Sequence, residues 1–250
     1  MNRRVLSVVA CATAVLAGAH LAAQNAAQNA APNVDDLVAR NVQAKGGAEK
    51  LQAIQSLKQT AHVTFQGITG TITVYGKRPN LLRQEIVMSG QKIVNAFDGT
   101  TAWSVNPMLG SPEPKAITGP QADDIKVQAD FDSPLVNYKA KDYELEFVGL
   151  ETLGTRKVNH LRLTSKERRV QQIYLDAETN LEIKIVGDTQ MGPLENELSD
   201  YRVIQGLKMP FMMKTVSGGM VLSQIAVDSV ELNPKIDDAM FKMPKPSSNR

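Results

Sequence analysis

Cysteine is all but missing from this sequence. Its one copy, Cys11, lies inside an apolar N-terminal run, so no thiol remains in the chain beyond that run. Disulfide staples, thiol nucleophiles and thiolate metal sites are excluded there. Aromatic residues are scarce as well, with six Phe, five Tyr and a single Trp, so bulky core filling is limited. Charge of one sign is also lacking. The formal net charge is +2, and Arg3 and Arg4 account for all of it. A nucleic-acid footprint needs clustered cations, and the balanced remainder does not supply them.

Catalytic motifs are absent too. There is no HExxH, GxSxG, phosphate loop or GxGxxG in a strand–helix setting. After residue 23 the histidines are His62 and His160, each alone in a strand-like stretch, with His62 on the polar side of its strand. Asp123-Asp124 falls in the first turn of a predicted helix, where acids offset the helix dipole. Asp237-Asp238 follows Pro234 and reads as the start of a turn. No catalytic residue, metal site or cofactor is expected.

What is present begins with an export signal. Arg3 and Arg4 give a positive start, and Val5 to Leu21 is apolar apart from Ser7, Cys11, Thr13 and His20. Small residues offer cleavage after Ala19 or after Ala23. The run is short and Ala-rich for a membrane span, which needs about 20 strongly apolar residues. Cys11 after Val8-Val9-Ala10 mimics a lipidation box, but the apolar run continues past it, which argues against cutting there. The expected organisation is a signal peptide over 1–23, a flexible Gln/Asn/Ala leader over 24–32, one domain over 33–246 and a tail over 247–250. The expected location is the periplasm.

Two segments read as helix. The first starts near Asn33, carries Asp35 and Asp36 in its first turn, breaks at Gly46-Gly47 and resumes through Glu49–Ile54. The second runs from Gln121 to about Tyr138, with Ile125, Ala129, Phe131, Leu135 and Val136 on its apolar side. Almost everything else alternates with period two. Ala61-Val63-Phe65 alternates with His62-Thr64-Gln66, and Ile72-Val74 with Thr71-Thr73-Tyr75. Further strands are predicted at 82–88, 91–97, 101–106, 144–152, 156–165, 169–175, 181–187, 196–205, 209–217 and 221–232, separated by turn signals such as Asp98-Gly99 and Gly218-Gly219. The predicted fold is mainly β: a strongly curved antiparallel meander forming a half-open β-barrel with covering helices.

Such a sheet has more apolar strand surface than two modest helices can cover, so it must close or keep a cavity. Met88, Met108, Met209, Met212, Met213 and Met220 cluster in and around the strands. Unbranched, polarizable Met suits a wall that adapts to its ligand, and equally an irregular core. Lys166, Arg168 and Arg169 flank a hairpin turn that reads as solvated, or as a docking edge for an acidic partner or lipid headgroup.

Several pieces follow in order along the chain: Ala44-Lys45-Gly46-Gly47-Ala48, Gly76-Lys77-Arg78-Pro79-Asn80, Phe97-Asp98-Gly99-Thr100-Thr101-Ala102-Trp103, Tyr174-Leu175-Asp176-Ala177-Glu178-Thr179, Asp200-Tyr201-Arg202, Gly206-Leu207-Lys208-Met209-Pro210 and Phe241-Lys242-Met243-Pro244. In this order they resemble the LolA-type outer-membrane lipoprotein carriers and related lipoprotein-sorting proteins, specifically their broad branch. Together they span about 34–244. The resemblance implies a half-barrel whose greasy concave side holds acyl chains of lipids or lipoproteins, with membrane-bound donor and acceptor proteins as partners. A monomer without cofactor is expected. The groove residues expected from alternation are Val63, Phe65, Ile72, Val74, Ile86, Met88 and Trp103, with Ile125, Phe131 and Leu135 from the covering helix. An envelope sensor or protein-interaction module on the same half-barrel is the alternative function.

Overall fold

The computed structural model describes residues 32–189 and 192–245. The predicted signal peptide, most of the leader and the tail lie outside the described residues. Among the described residues the chain forms one antiparallel sheet of thirteen strands. The first half comprises β1 (Ser56–Phe65), β2 (Ile68–Lys77), β3 (Leu81–Met88), β4 (Gln91–Phe97), β5 (Ala102–Asn106) and β6 (Ser111–Ala116). The second comprises β7 (Glu144–Leu153), β8 (Arg156–Thr164), β9 (Val170–Asp176), β10 (Glu182–Thr189), β11 (Gly192–Ile204), β12 (Leu207–Ser217) and β13 (Met220–Leu232). The spatial order is 6-5-4-3-2-1-13-12-11-10-9-8-7, so the single predicted meander is two, joined where β1 pairs with β13. The sheet is open: β6 and β7 are its ends and do not pair with each other.

Among the described residues three α-helices accompany it: α1 (Val34–Ala44), α2 (Ala48–Ala53) and α3 (Pro120–Ala129). Asp35 and Asp36 occupy the first turn of α1, where they favour the helix dipole. The break after α1 rests on Gly46 and Gly47, at φ +126° and +95°. A Cβ on Gly46 would fall 2.4 Å from the Gly206 carbonyl oxygen, so only glycine permits this approach to the β11–β12 turn. The Lys45 carbonyl accepts from Lys208 N at 2.9 Å and fastens the two turns together.

The second predicted helix, 121–138, is a correction. Helix α3 stops at Ala129, an irregular stretch follows, and a short 3-10 turn covers Tyr138–Lys141. Pro134 explains part of this, since it lacks a backbone donor and steers Ser133 away from helical dihedrals. The greasy periodicity through Leu135 belongs to a crossover that carries the chain from the β6 edge to the β7 edge. Strand β6 was not expected at all. Its Pro112 and Pro114 suppress the strand signal, and an edge strand is where proline is tolerated.

Pairing fixes the faces of the sheet. Ala61, Ile72, Ile86 and Ile93 stand in one row across β1 to β4, and His62, Thr71, Val87 and Lys92 stand in the next row on the other side. The first side is the covered face. On it α3 packs Ala122, Ile125 and Ala129 against Leu82, Phe97 and Ala102. Leu37 of α1, with Leu135 and Tyr138 of the crossover, packs against Leu161, Leu163, Ile173 and Leu175 of β8 and β9. Each such side chain, fully buried, contributes about 1.5–3 kcal/mol.

The opposite face of β3–β5 is closed by the C-terminal segment. The Trp103 indole donates to the Phe241 carbonyl at 2.7 Å, and Arg83 donates to the Met240 carbonyl at 3.0 Å. The Arg83 guanidinium also lies 5.5 Å from the Trp103 ring centre. Phe241 and Trp103 are both fully buried.

Candidate functional site

A cavity of about 290 Å³ lies between the covered face and the segment that leaves α3. Its floor includes Leu57, Val74, Gly76, Leu82 and Leu232 of the sheet. Its roof is Ala129, Phe131 and Val136, and one side wall is Leu207 with Met209. Leu51 and Ile54, in and just after α2, close another side. The lining is mostly aliphatic because β1, β2 and β3 turn their alternate apolar residues this way, and because the β1–β13 pairing brings Leu232 beside Leu57. Gly76 leaves the room directly under Phe131: a Cβ there would touch the ring at 3.4 Å.

The polar groups at the cavity wall are largely engaged with one another. Arg78, immediately after β2, grips Asp132 with two hydrogen bonds of 2.6 and 2.7 Å. The same guanidinium donates to the carbonyls of Ile54 and Leu51 at 2.7 and 3.2 Å, and lies 4.8 Å from the Phe131 ring centre. Charge-assisted, two-pronged contacts of this kind are among the stronger ones a protein makes. The Arg78 hydrogen bonds hold the Asp132 carboxyl below the usual carboxylate range, and Asp132 in turn raises the arginine. Lys141 pairs with Asp130 at 2.6 Å, and Gln84 donates to Gln128 at 3.0 Å. Beneath the roof, Lys45 pairs with buried Glu182, which also accepts from Ser133 at 3.2 Å. Tyr201 donates to the Glu182 carbonyl at 2.7 Å, and burial pushes its phenol well above the ordinary tyrosine value.

A second cavity, about 510 Å³, lies along the other side of α3. Ile185, Leu194 and Met213 share its lining with Gln171, Asn196, Thr215, Asp124 and Arg169, so it is the more polar of the two. Gln128 and Asp130 line both cavities.

No protein-family model matches the sequence, and no curated protein matches it at the sequence level. The fold, by contrast, matches solved structures along nearly the whole of their length. A DUF1329 family protein from Desulfovibrio piger superposes with a TM-score of 0.58 at 15% identity, over 85% of this chain and 98% of its own. A LolA superfamily protein from Nitrosomonas europaea gives 0.56 at 14% identity, over 85% and 98%. This chain has the fold of the LolA superfamily. A candidate outer-membrane lipoprotein-sorting domain from Vibrio parahaemolyticus gives 0.54 at 10% identity, over 84% and 97%.

Within this LolA-type fold the predicted groove residues are distributed as follows. Val74 and Phe131 line the first cavity. Val63, Ile72 and Met88 form a buried cluster on the covered face with Ile86 and Val74 packed against it. Ile125 lies under α3, and Leu135 lies among the β8–β9 core residues. Phe65 sits at the β1–β2 tip, half exposed. Trp103 stands apart. It pairs with Ala96, which pairs with Arg83, and that row belongs to the face sealed by Phe241. Alternation alone cannot tell which row of β5 faces the helices. Sequence reasoning missed the cavity residues Leu57, Leu82, Leu207 and Leu232, and the last two come from the second meander, which only the β1–β13 pairing brings beside the first. Met209 in the first cavity wall and Met213 in the second carried a signal in their composition.

The basic turn is engaged by acids: Lys166 faces Asp142, Arg168 faces Glu144, and Arg169 contacts Asp124 at 2.5 Å. His160 is held between Glu151 and Gln172 at 2.6 and 2.7 Å and stacks on Tyr174. His62 pairs with Asp228 on the exposed face at 2.8 Å. Among the described residues, no group of three or more His, Cys, Asp and Glu is arranged to hold a metal ion.

Proposed function

We propose that this protein is a periplasmic, non-catalytic carrier or binder of lipid or lipoprotein acyl chains, serving outer-membrane lipoprotein sorting or lipid transport. The observation that carries the reading is the first cavity: aliphatic walls, a roof segment held to the sheet by Arg78 and Asp132, and polar neighbours that already neutralise one another. Moving one C16 acyl chain from membrane to water costs about 0.8 kcal/mol per methylene, roughly 11 kcal/mol for the chain. A carrier must recover much of that cost and still release its cargo. Apolar walls with few fixed polar anchors meet both demands, whereas a catalytic pocket needs convergent titratable groups beside a reacting atom.

In this reading the open sheet acts as a half-barrel, with its covered face as the concave side. The crossover through Phe131 is the roof, and Arg78 with Asp132 is its latch. The first cavity lies at the low end of the range for small-molecule sites, so a full acyl chain requires the roof to lift or the second cavity to join it. The LolA superfamily protein and the candidate lipoprotein-sorting domain with the same fold support the assignment. Donor and acceptor proteins in the two membranes complete the proposal. Native mass spectrometry of the protein recovered from an envelope fraction, followed by lipid extraction, tests it. Bound acyl lipid is expected. A protein that stays lipid-free and takes up no added acyl chain would sink the proposal.

A further inference from the structure

Three hairpin tips stand in a row at one end of the sheet. They are the β3–β4 turn at Ser89-Gly90, the β1–β2 turn at Gln66-Gly67 and the β12–β13 turn at Gly218-Gly219. The strands that carry them, 4-3-2-1-13-12, are consecutive neighbours, so at about 4.8 Å per strand the row spans roughly 24 Å. Gln66 N donates to the Leu222 carbonyl at 3.1 Å and ties the second tip to the third.

The row is free of charge. Residues 64–71, 86–91 and 215–224 contain no Asp, Glu, Lys or Arg, although 22% of the chain is charged. The turns at the other end of the same strands differ: they carry Lys77, Arg78, Asp98 and Lys208. Beside uncharged polar residues such as Gln66, Thr69 and Ser89, the row exposes large apolar ones. Met220 is 69% exposed, Val221 54%, Ile68 46% and Phe65 43%. One exposed apolar residue is ordinary on a soluble protein, but several side by side on neighbouring tips mark an interaction surface.

The chemistry of the row chooses the partner. Protein interfaces are flat or complementary patches with a polar rim and Arg, Tyr or Trp anchors. This row is uncharged and exposes large apolar side chains beside small polar ones, a surface able to enter the headgroup–acyl boundary of a bilayer. Its position is also consistent with transfer. Met213 and Thr215, which line the second cavity, lead along β12 directly into the third tip. We propose that the three tips dock this protein on a lipid surface without a protein receptor. This goes beyond the carrier reading, which concerns what the cavity holds.

Hydrogen exchange of the full chain, with and without protein-free phosphatidylethanolamine/phosphatidylglycerol vesicles, tests the proposal. Severalfold slower exchange is expected in peptides covering 64–71 and 216–223, in low and high salt alike, with no change at 98–101 or 177–180. In the Ile68→Ser/Met220→Ser/Val221→Ser variant the slowing should vanish, since each lost apolar side chain weakens partitioning roughly tenfold. The variant's thermal midpoint and its uptake of an acyl probe from solution should stay as in the parent. Should the triple variant fail to fold, Met220→Ser alone, at the most exposed of these positions, should reduce the slowing. Unchanged exchange at the tips, equal slowing at both ends, slowing that survives the substitutions, or slowing only on native membranes with their proteins would each overturn the proposal. Loss of acyl uptake with tip protection intact would count against the carrier reading alone.

Discussion

Arg78 and Asp132 lie 54 positions apart and meet in a two-pronged ion pair at 2.6 and 2.7 Å, and this pair fixes the cavity roof to the sheet. The guanidinium that holds Asp132 also caps the carbonyls of Leu51 and Ile54, so roof, α2 and β2 share one anchor.

Asp132→Asn keeps the shape of that contact and removes its charge. The expected loss is about 1.5–3 kcal/mol, the range for hydrogen bonds to charged groups. The pH dependence has a definite sign. Arg78 lowers the Asp132 pKa in the folded state, so the stabilisation is complete above the ordinary carboxylate value and disappears as pH falls through the lowered one. Thermal midpoints of parent and variant should differ clearly at neutral pH and converge in acid. A gap that stays constant into acid would show that the charge of Asp132 is not the source.

Lys45 and Glu182 form the most buried ion pair at the site, with the Glu182 side chain 4% exposed. Lys45→Met leaves that carboxylate without its counter-charge and should cost about 3 kcal/mol or more in urea unfolding. The double variant Lys45→Met/Glu182→Leu should recover most of the loss, because it removes both charges together. If the double variant is no better than the single one, the penalty lies elsewhere.

Trp103→Phe preserves most of the packing under Phe241 and removes the indole donor. Stability should fall by about 1–3 kcal/mol because the buried Phe241 carbonyl loses its partner. Acyl binding should not change, since Trp103 lies on the face away from the cavities. Reduced acyl affinity in a folded Trp103→Phe protein would place this residue back in the site.

Gly46→Ala addresses the junction of α1 and the β11–β12 turn. The added methyl meets the Gly206 carbonyl oxygen at 2.4 Å from a backbone at φ +126°, so a loss above about 2 kcal/mol is expected in thermal or urea unfolding. A near-neutral result would mean the junction yields easily.

Most strands were readable because alternation survives in them; β4, for example, runs over Gln91–Phe97 as expected. Strand β6 was hidden by its own prolines, and α3 was overextended because apolar spacing continues through Leu135, although the helix stops at Ala129 and Pro134 disfavours its continuation. The site was only partly readable for a related reason. Val74 and Phe131 advertise themselves by pattern, but Leu207 and Leu232 reach the cavity only through pairing across the centre of the sheet. Trp103 shows the same limit from the other side: its row is decided by pairing with Ala96, and no local pattern distinguishes that row from the one beside it. Arg78 carried no site signal of its own, because its partner Asp132 is distant in sequence.

The central claim, that the cavity beneath Phe131 holds an acyl chain, is tested most directly by titrating a fluorescent fatty acid into three proteins. Gly76→Leu fills the space between β2 and the Phe131 ring, where an added Cβ already reaches 3.4 Å. Thr71→Leu adds the same side chain to the exposed row of the same strand. The account predicts saturable binding by the parent, unchanged binding by Thr71→Leu, and binding weakened roughly tenfold or more by Gly76→Leu with its fold intact. No binding by the parent, or equal binding by all three, would contradict it.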